Sequence, residues 1–168
     1  MKTFTDLEKR TWRIVITLGV VVRVKDLLGI DLLQPENGSP TPDDDPLLSR
    51  LGTDELLLAQ TICAILQPEF ERHKVDEKDV QESFGGDTLR DAMTAFYEEW
   101  IDFFRRLGRP ERATAIEKQL KMIQAGIKAA TRQIEKIDVD RVVDKLIPDT
   151  DPMEDIGKKK TGGRKSTG

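Results

Sequence analysis

Residues 116–137 carry the strongest constraint in this chain: Ile116, Leu120, Ile123, Ile127, Ala130, Ile134 and Ile137 step 4-3-4-3-4-3. At 3.6 residues per turn that spacing stacks every one of them on a single stripe of an α-helix, whereas a strand would scatter them over both faces. Gly108 and Pro110 mark a turn and a first helical position, so the spacing predicts a long helix over 110–137. With Leu120, Ile127 and Ile134 as a-type positions, the flanks are Glu117, Gln124, Thr131, Gln119, Gly126 and Gln133. These are nearly uncharged, unlike the flanks that select coiled-coil partners. The stripe therefore reads as the middle of a broader apolar face. Packing on the preceding helix and docking of a partner protein both remain open.

Upstream, Lys2–Thr5 and Thr11–Thr17 read as two strands joined by the polar loop 6–10, a hairpin over residues 2–17. Thr17 caps a predicted helix Leu18–Leu28 with Val20, Val21, Val24, Leu27 and Leu28 inward, stopped by Gly29; its β-branched valines leave a longer strand as the competitor. Residues 34–45 form a solvated loop, and Asp45-Pro46 opens a short helix to Leu51. Thr53-Asp54-Glu55 starts an apolar helix running to Leu66 and stopping before Pro68, the candidate central helix. Asp76 caps a short helix to Phe84, with Asp79 at the capping-box position. A strong helix Asp87–Leu107 follows, presenting Leu89, Met93, Phe96, Trp100, Phe103, Phe104 and Leu107 to the core. A last amphipathic helix is predicted at 139–147, then a disordered charged tail at 148–168. The fold class is mainly α (α+β): an N-terminal two-stranded β-hairpin, then a helical domain ending in a long helix, with 1–147 as one domain and 18–107 as its helical core.

Chemistry is sparse beside this packing surface. The chain has 168 residues but one His and one Cys. His73 and Cys63 cannot build a zinc site that needs three or four ligands, and Cys63 lies in the most apolar helix, where an inert buried thiol is the ordinary outcome. Asp43-Asp44-Asp45 lacks the alternating spacing of a calcium loop. Glu98 and Glu99 are neighbours on a helix and point apart. Gly157–Gly163 lacks the strand and following helix of a phosphate loop. No catalytic residue, cofactor or metal site is expected, and the protein is read as not an enzyme. A net charge of −4 argues against bulk attraction to nucleic acid. No apolar run reaches membrane-spanning length, so no membrane partner is expected. The single Cys and the polar start suit the cytoplasm.

Lys2-Thr3-Phe4-Thr5-Asp6, Arg10–Ile16, Asp31-Leu32-Leu33, Asp45-Pro46-Leu47-Leu48, Gln67-Pro68-Glu69 and Gly85-Gly86-Asp87 before an aromatic helix resemble small proteins of phage and prophage tail modules. The chain is similar there, over about residues 2–107, to tail assembly chaperones of long-tailed phages. That resemblance implies a non-enzymatic protein of the host cytoplasm that coats the tape-measure protein, recruits tail tube subunits and leaves the finished particle. Trp12, Ile116, Leu120, Ile123, Ile127 and Ile134 are the candidate partner-binding residues, and a homo-oligomer is left open. Two alternatives stand beside it. One is a virion component such as a head–tail completion or minor tail protein. The other is a small nucleic-acid-binding regulator using the basic tail 158–165.

Overall fold

The structure is a computed structural model that describes residues 1–37 and 45–135. Strands β1 (Lys2–Thr5) and β2 (Thr11–Ile14) pair antiparallel, with Phe4 opposite Trp12 and Lys2 opposite Ile14. Opposed residues share a face. Phe4, Trp12 and Ile14 are therefore buried together, while Thr3, Thr5, Thr11 and Arg13 face outward. β2 ends three residues short of the predicted Thr17. Pairing starts at Lys2 opposite Ile14, so residues 15–17 keep the in–out alternation (Ile16 buried, Val15 exposed) without a ladder.

Asp6 closes the hairpin. Its carboxylate accepts from the Arg10 backbone N–H (2.9 Å), Arg10 Nε (2.6 Å) and Trp12 Nε1 (2.8 Å). Burial alone would raise its pKa, but the bonds from Trp12 and Arg10 outweigh burial and hold it below the ordinary carboxylate value. A depressed folded-state pKa adds stability that is present above the unfolded value of about 3.9 and lost as pH falls through the folded value. Asp6→Asn is expected to lower neutral-pH stability by about 2 kcal/mol. Denaturant melts between pH 7 and pH 2 check it: the variant should lose less stability on acidification than the native chain.

Helix α1 (Leu18–Leu28) begins where Thr17 Oγ1 accepts from Val20 N at 3.3 Å and ends at Gly29, whose φ of 70° suits glycine. Val20, Val21 and Val24 are buried. Burial against a neighbouring helix outweighs the modest helical penalty of their branching, so the longer-strand alternative fails. Leu27, expected inward, is 55% exposed.

The segment after α1 is tied down by long-range bonds. Trp100 Nε1 donates to Leu32 O at 2.9 Å and Arg112 Nη1 to Leu33 O at 2.7 Å. Arg112 also pairs with Glu36 and lays its guanidinium 5.8 Å from the Phe104 ring centroid.

Helices α2 (Leu47–Thr53) and α3 (Glu55–His73) follow, with Asp54 rather than Thr53 capping α3 through its bond from Leu57 N at 2.9 Å. Here one expectation is corrected: α3 runs through Pro68 to His73. Proline removes the N–H that would bond the carbonyl four residues back. That carbonyl, on Ala64, instead has Arg23 Nη1 of α1 at 3.5 Å. Beyond Pro68 the helix is held by packing: Phe70 and His73 lie 6.1 Å and 4.4 Å from the Trp12 ring. α3 is the central helix, touching β2, α1, α2, α4 (Glu77–Glu82) and α5 (Gly86–Arg106). Its apolar surround is complete only over 61–66, since Leu56 is 70% exposed.

α4 carries the reciprocal cap between Asp76 and Asp79. α5 (Gly86–Arg106) then lays Met93, Phe96, Tyr97, Trp100, Phe103 and Phe104 into the core against β1, β2 and α3. Leu107, expected inward, is 44% exposed because the helix has already ended before the turn at Gly108, φ 73°. α6 (Pro110–Glu135) is the last described element. The architecture is thus mainly α with an N-terminal two-stranded hairpin and a long C-terminal helix.

The chain divides into two compact units, Met1–Ala129 and Ala130–Gly168; of the second, only residues 130–135 are described. The positions of Asp43 and Asp44, Ile137, the expected 139–147 helix and the 148–168 tail with its basic run lie outside the described residues.

Candidate functional site

The apolar stripe of α6 changes environment along its length. Ala113, Ile116 and Leu120 are core residues at 2%, 0% and 7% exposure, and Ile123 is half-buried against the core. The seating is tight at Gly52 of α2: a Cβ there would stand 3.0 Å from Ile123 Cδ1 and 2.8 Å from Gln119 Nε2. Polar contacts fasten the same half-helix. Arg105 of α5 reaches Glu117 at 3.1 Å, and Lys121 reaches Glu117 at 2.9 Å.

From position 124 to 134 every residue is exposed. The stripe continues there through Ile127 and Ile134, the latter 68% exposed, with Met122 at 66% beside it. Lys128 and Arg132 are its only charges between 124 and 134.

The structure buries three of the candidate residues. Ile116 and Leu120, at 0% and 7% exposure, belong to the intramolecular core. Trp12, at 0% exposure, is likewise core: it donates to Asp6, and Arg10, Phe70 and His73 surround its ring. The 4-3 repeat marks a helical seam but is blind to where the rest of the domain stops covering it. Ile123 is half-buried against the core, Ile127 is 37% exposed and Ile134 68% exposed.

The titratable groups are structural in their settings. Burial, with Glu77 adding to it, pushes the Cys63 thiol up to about 11. Burial also raises the Tyr97 phenol, whose hydroxyl lies 3.4 Å from Leu48 O. Glu98 is an outer residue 3.4 Å from Lys2 Nζ, whereas Glu99 is fully buried, with Arg106 Nη2 at 2.8 Å and the Met1 amino nitrogen as its second ionic neighbour. The buried carboxylates Asp6 and Glu99 and the Arg112 clamp escaped the sequence reading, because an acid or arginine on a polar-looking stretch carries no periodic signal. Among the described residues no group of three or more His, Cys, Asp or Glu could hold a metal ion, and no helix is long and apolar enough to cross a membrane. No family model matches the chain, and neither a curated protein nor a solved structure is significantly similar to it.

Proposed function

We propose that this chain is a non-enzymatic tail assembly chaperone of a phage or prophage, which shields helical segments of the tape-measure protein until tail tube subunits replace it. The observation that carries this reading is the apolar stripe of α6, which is core as far as Leu120 and exposed at Ile127 and Ile134. The exposed stretch of the seam at Ile134 is already helical, so a partner helix docks there without an ordering cost on this side. The resemblance over residues 2–107 supplies the identity of the partner, and the α6 stripe supplies a means of holding it.

The runner-up, a structural component of the virion, makes the opposite statement about the finished particle. Co-expression with a tape-measure protein of a long-tailed phage should keep that protein soluble and bring it down in complex with this chain. Purified particles should then lack the chain. Stoichiometric presence in particles would favour the structural reading.

A further inference from the structure

A second site lies between the C-terminal end of α1, the middle of α3 and α4, remote from the α6 stripe in sequence. It is a cavity of about 220 Å³, smaller than the roughly 300–1,000 Å³ of small-molecule sites and so sized for a single side chain. Leu28, Cys63, Ala64 and Phe70 give it an apolar lining, and Gln60, Gln67 and Gln81 supply neutral amides. Glu77 is its only charged lining residue. One oxygen of that carboxylate is already engaged: Gln81 Nε2 donates to Glu77 Oε1 at 3.1 Å. Among the described residues no cation pairs with Glu77, although fourteen ion pairs are made elsewhere, including Lys78 with Glu82 on the same helix.

We propose that this cavity is a socket for a lysine side chain of a protein partner. A lysine stem is four methylenes that pack on apolar surface while the ammonium stays at the polar edge. That matches a lining that combines Leu28, Ala64 and Phe70 with one solvent-exposed carboxylate, Glu77. An ammonium suits the site better than a guanidinium does. Its three donors turn freely among acceptors arriving from separate helices, whereas the planar guanidinium fork wants one bidentate carboxylate. Gln81 already shares one of the Glu77 oxygens, so a bidentate fork would compete with it. An uncharged apolar side chain would fill the lining but make no use of the exposed Glu77 carboxylate. The proposal rests on the chain-binding function only for the source of the lysine.

The test is an amide-resolved NMR titration of the full chain with n-butylammonium, the lysine side chain in isolation, and with the capped tripeptide acetyl-Gly-Lys-Gly-amide. The socket predicts shifts confined to residues lining the cavity, among them Leu28, Cys63, Ala64, Phe70 and Gln81, with both probes. Glu77→Gln should weaken both by about fivefold, the upper worth of a solvent-facing ion pair. The ε-acetylated tripeptide and n-butanol should leave those amides unmoved. The inference is overturned if n-butanol gives the same footprint at the same concentrations, if Glu77→Gln binds as well as the native chain, if only the free amine and not the tripeptide binds, or if no probe moves these amides. Tape-measure solubility in co-expression reads the α6 stripe and is independent of these outcomes, so failure of one leaves the other standing.

Discussion

Trp100→Ala is expected to destabilise the domain by about 3–5 kcal/mol, the range for removing a fully buried large aromatic side chain. Trp100 is 0% exposed and touches Phe96, Tyr97 and Phe104, with ring centroids at 5.3, 6.1 and 6.3 Å. Its loss opens a cavity at the centre of the α5 face and also frees Leu32 O, which accepts from Trp100 Nε1 at 2.9 Å. A buried carbonyl left without its donor adds to the cost of the cavity. Trp100→Phe separates the two effects, since it keeps most of the packing and loses the bond. Chemical denaturation of both variants checks this; a loss below about 1 kcal/mol for the alanine variant would mean the site collapses around the missing ring.

The second large effect lies on α6 and depends on position along one stripe. Ile116→Glu places a charge at a fully buried site among core residues and is expected to cost more than about 4 kcal/mol, enough to unfold a domain of ordinary stability. Ile134→Glu is the same substitution eighteen residues further along the same seam, at a position 68% exposed, and is expected to change stability by less than about 0.5 kcal/mol. Thermal melts of the two variants side by side test the division directly.

Much of this architecture was legible from residue order. Thr17, Gly29, the Asp76–Asp79 pair and Gly108 each satisfy or release backbone groups locally, and the element boundaries they predict fall within a residue or two of those observed. What could not be read depended on contacts between distant segments. Pro68 looks like a helix stop because its missing N–H is a local fact, while Arg23 beside the Ala64 carbonyl and Trp12 against Phe70 are tertiary ones. Asp6 looks like one more loop acid until the fold brings Trp12 Nε1 onto it. The seam of α6 shows the same limit at the candidate site. Its period is visible from Ile116 to Ile134, but the close approach of Gln119 and Ile123 to Gly52, an α2 residue about seventy positions away, is a tertiary contact the period does not show.

The central proposal is that the α6 stripe around the exposed Ile134 holds a helical tape-measure segment, and Ile134→Glu tests it most directly. The measurement is the soluble fraction of the tape-measure protein when co-expressed with the native chain or with this variant, both confirmed folded by their melting curves. A folded Ile134→Glu chain that leaves the tape-measure protein in the pellet, where the native chain keeps it in solution, is the predicted result. A folded variant that keeps it as soluble as the native chain does would contradict the claim.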